Sequence, residues 1–360
     1  MNILAFESSC DETAVAVVRD GRHLLADAIL SQADMHALYG GVVPEIASRK
    51  HVEAIAGLTD QALRDAGLTK RDIDAVAVTY APGLIGAVLV GVSFAKSAAW
   101  ALGVPLIPVH HVRGHIAANY LAHPDLEPPF VCLCVSGGTS LLVDVKGYTE
   151  MEILGATRDD AAGECFDKIA RVMGLGYPGG APLDRAAQGG NDKAFSLPRV
   201  HIQDAPLDMS FSGLKTAMLN LIHNAQQKGE ELPVADLAAS FSAAVSEELV
   251  PRTMAAAQAK GYGKVAVVGG VAANSRIRRD LEQACQAAGC TLYLPPLKLC
   301  GDNGSMIGSQ GYYEYLAGTR AGTDLNAYAN REISRPYGTG TAPVFPSPVE
   351  KSVESVHNSL

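Results

Sequence analysis

Short apolar runs separated by small polar turns recur along the chain, and two pairs of these runs have the same layout. In each pair an apolar strand leads into a turn of small polar residues, and a second apolar strand returns from it, which predicts a β-hairpin. A unit that occurs twice indicates an internal duplication, so the pattern predicts two related halves. The paired strands are 2–7 with 13–18, and 130–135 with 140–145.

Longer segments with apolar residues three or four apart lie between the strands and predict helices. Strands that alternate with helices indicate an α/β fold. Asp159 and Asp160 are expected to cap the helix that follows them. Asp167 lies inside that helix, where a carboxylate lowers helix propensity and so suggests a role. Other predicted elements are helices 44–65, 87–101 and 237–260, and strands 74–79, 103–109 and 291–294.

The chain has 360 residues, which exceeds what one hydrophobic core usually holds, so we expect two lobes. Its net charge of −9 argues against a stand-alone binder of nucleic acid but is compatible with a local basic patch. Seven cysteines without a Cys-x-x-Cys pair favour reduced thiols in a cytoplasmic protein, and no secretory leader is expected. The apolar run 84–109 contains glycines, a lysine and prolines, so we interpret it as a buried helix and strand rather than a membrane span.

His111 and His115 are four residues apart at the start of a predicted helix, a spacing that places both imidazoles on one helix face. A predicted strand leads directly into this helix, where open α/β sheets bind ligands. A metal site needs a third ligand, and Asp302 is the best candidate. Two histidines and one carboxylate suit Fe2+ or Zn2+. The alternative is two ordinary solvated or core histidines, and no Glu follows the first histidine as in the zincin pattern.

The two hairpin turns carry further candidate chemistry. Gly137 and Gly138 expose backbone N–H groups that can bind an anion or stabilise developing negative charge. Asp11 and Glu12, at the other turn, are candidate catalytic residues that accept a proton or position the substrate. The alternative for both turns is an ordinary hairpin tip.

Small polar and glycine-rich motifs follow one another along the chain: Glu7–Thr13, His36–His51, His111 with His115, Val135–Gly138, Gly163–Gly180, Gly269–Asn274 and Asp302–Gly304. In this order they resemble the TsaD (Gcp/YgjD) family of tRNA adenosine threonylcarbamoyltransferases, over about residues 2–336. The resemblance implies an α/β fold of the ASKHA (actin-like) class, with two duplicated lobes and a central cleft. The predicted lobes are 1–108 plus 307–337 and 109–306, followed by a disordered tail, 338–360.

The family transfers the threonylcarbamoyl group from threonylcarbamoyl-AMP to the N6 amine of the adenosine next to the anticodon (position 37) in tRNAs reading ANN codons, forming t6A. The resemblance implies one divalent metal ion per subunit, Fe2+ in the first place and Zn2+ otherwise, held by His111, His115 and Asp302. It also implies TsaB-like and TsaE-like partner proteins, a cytoplasmic location and no membrane contact. The implied substrate contacts are Val135, Ser136, Gly137, Gly138, Thr139, Asp167, Gly180, Asp184 and Asn274.

One position departs from the family pattern, because the residue after Ser-Gly-Gly is Thr139 rather than the usual histidine. Any role of that histidine toward the metal or the substrate is therefore absent or carried by another residue. Local contacts with tRNA are expected near Arg49 and Lys50 and in the range 276–279, completed by partner proteins. Three other functions stay open: a metalloprotease (glycoprotease), an ATP-dependent actin-like kinase or chaperone, and a non-catalytic scaffold.

Overall fold

A five-stranded mixed sheet forms the N-terminal half of the computed structural model, which describes residues 1–200, 202–335 and 337–338. Its strands are β1 (Asn2–Glu7), β2 (Glu12–Arg19), β3 (His23–Ser31), β4 (Ala75–Ala81) and β5 (Leu106–His110). The strand order is β3-β2-β1-β4-β5. β1 lies at the centre, antiparallel to β2 and parallel to β4.

A second sheet repeats this topology. Its strands are β6 (Phe130–Val135), β7 (Ser140–Val145), β8 (Met151–Ala156), β9 (Lys264–Val268) and β10 (Thr291–Tyr293). The order is β10-β9-β6-β7-β8, and β6 is antiparallel to β7 and parallel to β9. Each sheet therefore has a central first strand, two antiparallel strands on one side and two parallel strands on the other. The predicted duplication and the α/β fold are confirmed.

Helices cover both faces of each sheet, which is why the central strands are continuous apolar runs rather than alternating ones. β1, β2 and β4 share one apolar core with the helices Pro44–Asp65 and Ile85–Leu102, and a second core on the opposite face includes the helix Gly304–Leu316. The helices are α1 (Ala33–Ala37), α2 (Pro44–Asp65), α3 (Ile85–Leu102), α4 (His111–Ala122), α5 (Ala162–Val172), α6 (Gly180–Ala186), α7 (Ser212–Lys228), α8 (Val234–Lys260), α9 (Ser275–Ala288) and α10 (Gly304–Leu316).

Helices α4 and α10 lie against each other between the two sheets, and glycines allow this close packing. A Cβ added at Gly304, Gly308 or Gly311 of α10 would lie 2.6–2.7 Å from atoms of β2 or β4. A Cβ added at Gly114 of α4 would lie 2.6 Å from Ile307 of α10. Larger residues would push these elements apart, so the three glycines of α10 set how closely α10 approaches the N-terminal sheet, and Gly114 sets how closely α4 approaches α10.

Helix α3 is long and apolar enough to span a membrane by length and composition alone. One face of the helix, including Val88 and Val92, is fully buried and packs in the core that contains Val76 and Val78 of β4. Helices inside a domain core can have the same composition as a membrane span. The packing of α3 agrees with the interpretation of this run as a buried helix followed by a strand.

The two outer antiparallel strands, β3 and β8, were not predicted from the sequence. Both are at sheet edges and are only partly buried, so their residues lack the continuous apolar run of the central strands. Edge strands follow the hydrophobic pattern weakly because one side of them faces solvent.

The predicted capping of α5 by Asp159 and Asp160 is wrong. The residue before α5 is Ala161, and no side chain caps this end. Asp159 instead accepts hydrogen bonds from the backbone N–H groups of Phe211 and Ser212 at the start of α7, at 2.8 and 3.1 Å. Asp160 forms an ion pair with Lys215. The free N–H groups of a distant helix start compete successfully for Asp159, which local sequence could not reveal.

The predicted lobe boundaries stay a prediction. Strand β5 continues to His110, and α10 begins at Gly304, so each element crosses one predicted boundary. The predicted disordered tail lies outside the described residues from position 339 onward.

Candidate functional site

Three side chains from distant parts of the chain meet where α4 approaches the loop before α10. Because α4 begins directly after β5, His111 and His115 occupy its first two turns on one face. Their Nε2 atoms are 3.1 Å apart. Asp302 Oδ1 lies 3.1 Å from Nε2 of His115 and 3.5 Å from Nε2 of His111. The structure thus brings together the three predicted metal ligands.

The distances within this group fit a bound cation. Metal–ligand bonds of about 2.0–2.2 Å place neighbouring ligand atoms roughly 2.9–3.5 Å apart. The three donor atoms match that range, and all lie within 4.8 Å of one another. Two imidazoles and one carboxylate would leave coordination positions for a substrate.

The loop that carries Asp302 is held in place by contacts with the start of α10 and with strand β3. The side chain of Asn303, fully buried, accepts a hydrogen bond from the Met306 N–H at 2.8 Å and caps α10. Asp27 of β3 accepts from the N–H groups of Gly304 and Ser305 at 3.3 and 3.2 Å. The start of α10 is therefore tied to the N-terminal sheet, which orients Asp302 toward α4.

Glu7 holds the other ring nitrogen of His111, a contact that the sequence interpretation missed. Glu7 is 1% exposed, and its Oε2 lies 3.0 Å from Nδ1 of His111. Oε2 also accepts from the Thr79 hydroxyl, and Oε1 accepts from the Ser9 N–H, both at 2.5 Å. A carboxylate behind a ligating histidine fixes its tautomer and ring orientation. The sequence signals were an acidic residue at the end of an apolar strand and its place at the start of the Glu7–Thr13 motif.

The charged side chains of this group shift one another's pKa values so that the charged forms of His111 and Asp302 are favoured. Burial opposes the charged form of His111, but Glu7 and Asp302 overcome it and raise the pKa of His111 to about 9. Burial also opposes ionisation of Asp302, yet His111 and His115 lower its pKa below the usual value. At neutral pH the free protein therefore holds a proton on His111 between two carboxylates, and a cation must displace this proton.

We expect the affinity for a divalent cation to rise with pH, by about tenfold per unit, as pH approaches 9, the pKa of His111. The sign follows because only the deprotonated imidazole can bind the cation. Calorimetric titration in two buffers with different protonation enthalpies should report about one proton released per cation at pH 7.5 to 8. An affinity that does not change with pH in this range would contradict the assignment of His111 as a ligand.

Replacing Glu7 by Gln should weaken cation binding by about 10–100-fold, because the amide keeps the shape of the carboxylate but not its charge. The matched control is Glu314→Gln, which removes a buried carboxylate that pairs with Arg113 at 2.8 Å outside this group. That control should reduce thermal stability without changing cation affinity. Equal cation affinities for Glu7→Gln and the unsubstituted chain would show that Glu7 does not tune the site.

The turn between β1 and β2 places Asp11 and Glu12 next to this group, and His51 fixes the turn. His51 is fully buried on α2. Its Nδ1 accepts from the Thr13 hydroxyl at 2.7 Å, and its Nε2 donates to the Cys10 carbonyl at 3.0 Å. The ring thus contacts the residues on both sides of the two carboxylic acids, a second contribution that sequence reasoning missed.

Glu12 is held in its neutral form. Burial, together with the negative charges of Asp302 and Asp11, raises the pKa of Glu12 to about 9. Its Oε1 accepts from the Ser31 hydroxyl at 2.9 Å. A neutral Glu12 therefore lies next to Asp11, and two carboxylic groups in one turn are an arrangement suited to acid–base chemistry.

A cavity of about 540 Å³ opens in the C-terminal half, within the size range of small-molecule sites. Of the predicted substrate contacts, those that line it are Gly137, Asp167, Gly180, Asp184 and Asn274. The other predicted contacts lie on the adjoining turn between β6 and β7 or at the end of β6.

Three polar side chains of this cavity, here called the donor cavity, already have partners that fix their positions. Asp167 accepts from the Gly179 N–H at 2.7 Å. Asp184 accepts from the N–H and hydroxyl of Ser275 at 3.0 and 2.8 Å. Asn274 caps α9 through its side-chain oxygen, so its amide N–H2 can still donate to a ligand. The walls of the donor cavity are thus rigid and polar on one side.

The β6–β7 turn connects the donor cavity with the histidines. Val135, Ser136 and Thr139 line a small space that His115 also borders, while Gly137 lines the donor cavity. A Cβ added to Gly137 or Gly138 would meet no other atom of the described residues, so a ligand can approach the backbone of both glycines.

A glycine behind this turn is required by its geometry. Gly269 has a φ of +94°, and an added Cβ would lie 2.3 Å from the carbonyl oxygen of Val135. Both the left-handed backbone and the close approach exclude a larger residue. Gly269 therefore lets β9 end directly beneath the β6–β7 turn. This turn lies between the donor cavity and the small space beside His115.

The fold and this site define a two-lobed, actin-like α/β protein with a candidate metal site beside a nucleotide-sized cavity. Solved structures agree with the fold. The structure of T.kodakarensis HypF gives a TM-score of 0.59 at 18% identity over 88% of this chain and 48% of that chain. The Acidaminococcus fermentans (R)-2-hydroxyglutaryl-CoA dehydratase component A gives 0.52 at 15% identity, over 88% and 98%. At these identities the similarity concerns the fold alone.

The sequence comparisons are more specific. Residues 23–309 match the family model described as TsaD: tRNA N6-adenosine threonylcarbamoyltransferase. A relative of that name from Clostridium botulinum (strain 657 / Type Ba4) is 52% identical over 92% of this chain and 98% of its own length. Another from Moorella thermoacetica is 54% identical over 91% and 95%. The chain belongs to the TsaD family, and the resemblance inferred from its motifs is confirmed.

Proposed function

We propose that this chain transfers the threonylcarbamoyl group from threonylcarbamoyl-AMP to the N6 amine of the adenosine at position 37 in tRNAs reading ANN codons. The observation that carries the proposal is membership of a family named for this transfer, over residues 23–309. The geometry of the site is consistent with it, since a nucleotide-sized cavity adjoins a group of metal-type ligands.

The donor cavity is the place for the adenylate. The N–H groups of Gly137 and Gly138 are suited to the phosphate and to the negative charge that develops on the reacting carbonyl. Asn274 caps the start of α9, Asp184 of α6 accepts hydrogen bonds from Ser275 at that start, and Asp167 lies on α5. Together these residues orient the donor.

His111, His115 and Asp302 are the residues that would hold one divalent cation, Fe2+ in the first place and Zn2+ otherwise. Such a cation supplies Lewis-acid activation of the carbamoyl oxygen and a clamp for the phosphate. Glu7 orients His111, and the loop contacts of Asn303 and Asp27 orient Asp302.

In the transfer step the N6 nitrogen attacks the carbamoyl carbon, the new C–N bond forms, and the bond from that carbon to the phosphate oxygen breaks. AMP leaves with the bonding electrons, and the N6 proton passes to a carboxylate of the Asp11–Glu12 pair. Asp11 is the acceptor of this pair because Glu12 is already protonated, and the turn that carries both residues lies beside Asp302 and is held by His51.

TsaB-like and TsaE-like proteins complete the activity in this proposal, in the cytoplasm and without a membrane.

A metalloprotease is the less favoured alternative, because the carboxylate nearest the histidines, Glu7, is occupied by Thr79, Ser9 and His111. An ATP-dependent actin-like protein is the other, and the fold similarity is its sole support.

The test is a transfer assay with the full chain, its partner proteins, threonylcarbamoyl-AMP and unmodified tRNA, followed by mass spectrometry of the tRNA nucleosides. We expect t6A at position 37, and we expect it to decline in tRNA from cells depleted of this protein. No t6A in the assay and an unchanged t6A level in the depleted cells, with cleavage of protein substrates or partner-free ATP hydrolysis instead, would overturn the proposal in favour of one of the alternatives.

A further inference from the structure

A second cavity, of about 660 Å³, lies where the two lobes meet, and the activity described above does not use it. Its C-terminal wall consists of Thr139 on the β6–β7 turn, Leu141 on β7 and Ile153 on the edge strand β8. The opposite wall includes the segment from Tyr328 to Arg335, which follows α10 and packs on the N-terminal lobe.

The β6–β7 turn links this cavity to the site. Gly137 of the turn lines the donor cavity, whereas Thr139 of the same turn lines the second cavity. Thr139 and Ser136 also border the small space that reaches His115. A donor and an acceptor could therefore reach the same reacting point from two sides of one four-residue turn, as a two-substrate transfer requires.

The second cavity has the chemistry of a site for unpaired RNA. Tyr328 is 40% exposed, and the guanidinium carbon of Arg331 lies 5.4 Å from the centre of its ring. Arg335 is exposed at the rim, and Glu332 is the acidic residue of the lining. Proteins read unpaired RNA by stacking bases on aromatic rings and guanidinium planes and by pairing arginines with phosphates.

Most of the basic residues expected from the sequence to contact tRNA form ion pairs or hydrogen bonds within the protein. Arg49 pairs with Glu45 at 2.7 Å and Lys50 with Glu53 at 2.6 Å. Arg276 pairs with Asp192 and Asp280. Arg278 donates to two backbone carbonyls. With a net charge of −9, the chain must bind phosphates through a local surface, and the second cavity offers one.

We propose that the second cavity receives the acceptor nucleoside of an unpaired RNA loop, with its flanking phosphates at Arg335. The inference rests on the proposed function and adds to it where the acceptor enters. The base lies beside Tyr328 and Arg331, and its exocyclic amine points past Thr139 toward the reacting carbonyl. The small side chain of Thr139 leaves this passage wider than a histidine there would.

The test compares substitutions of two exposed residues of the second cavity with matched substitutions of two exposed residues outside it. Ile153→Glu places a carboxylate on β8, and Ile29→Glu does the same on β3, the equivalent edge strand of the other lobe, where Ile29 is 44% exposed against 37% for Ile153. Arg335→Glu reverses a charge at the rim, and Arg64→Glu reverses an exposed one at the end of α2.

The readouts are binding of a fluorescent anticodon stem-loop RNA to the full chain with its partner proteins, and KM values for tRNA and for threonylcarbamoyl-AMP. Ile153→Glu and Arg335→Glu should each weaken RNA binding and raise the KM for tRNA by about tenfold, and Arg335→Glu should lower the salt slope by about one. The KM for threonylcarbamoyl-AMP and the cation content should stay unchanged, and the two control variants should match the unsubstituted chain.

RNA affinities of the cavity variants equal to those of Ile29→Glu and Arg64→Glu would overturn the inference. Tyr328→Ala gives an independent check, because it removes the stacking surface without changing charge and should also weaken RNA binding. A chain that binds the RNA as expected but forms no t6A would instead contradict the proposed function, so the two failures are distinguishable.

Discussion

Replacing both His111 and His115 by alanine should abolish cation binding and lower kcat/KM for threonylcarbamoyl transfer by about 10³-fold or more. Two of the three donor atoms disappear, and a single carboxylate, Asp302, does not hold a divalent cation at this site. The lost Lewis-acid stabilisation is worth several kcal/mol of the barrier, and about 4 kcal/mol corresponds to 10³-fold in rate. The helix should persist, because alanine favours helices and the buried residues Ile116 and Tyr120 still anchor α4.

Cation content by elemental analysis, circular dichroism and steady-state kinetics test this prediction together. The control is His123→Ala at the end of the same helix, where the ring contacts the Leu294 carbonyl at 2.9 Å and not the site. It should keep both cation and activity. Full cation occupancy in the double variant would refute the ligand assignment.

Replacing Asp11 by Asn should lower kcat by about 10²–10⁴-fold with little change in cation content, because the turn loses the carboxylate that takes the N6 proton. Glu12 is a poor substitute for it at neutral pH, since burial and the negative charge of Asp302 still raise the pKa of Glu12 when Asp11 is replaced. The amide preserves the size of the side chain, and His51 still holds the turn through Cys10 and Thr13. The loss should therefore appear in kcat rather than in stability.

The comparison variant is Asp20→Asn, which changes a carboxylate at the opposite end of β2 that pairs with the N-terminal amine at 2.7 Å. Single-turnover rates of both variants, measured with saturating tRNA and donor, separate the proton-transfer step from binding. A full single-turnover rate for Asp11→Asn would remove the Asp11–Glu12 pair from the mechanism.

Much of the fold was accessible from the sequence because its signals are local. The duplicated hairpins are visible as paired apolar runs, and the spacing of His111 and His115 fixes their common face once a helix is assumed. Asp302 was the best candidate for a third ligand from the sequence and was implied again by the family resemblance, and the structure places it 3.1 Å from His115.

The contacts that were missed all join residues far apart in the chain. Glu7 reaches His111 across 104 positions and His51 reaches Cys10 across 41. Asp159 caps a helix start more than 50 residues later rather than the adjacent one. Hydrophobic periodicity carries no information on such pairings, because they depend on how β1, α2 and α4 pack in three dimensions. The outer strands β3 and β8 were missed for the separate reason that solvent exposure weakens their pattern.

Helix α10 is the last helix of the described residues, and it covers one face of the N-terminal sheet. It packs on β1, β2 and β4 through Gly304, Gly308 and Gly311. During translation the N-terminal sheet emerges from the ribosome long before the helix that covers one of its faces. That face, and the position of Asp302, can be organised only when nearly the entire chain has been synthesised. A nascent or truncated chain ending before α10 would thus hold both histidines but remain catalytically silent, which would couple cation binding at the candidate site to completion of the polypeptide.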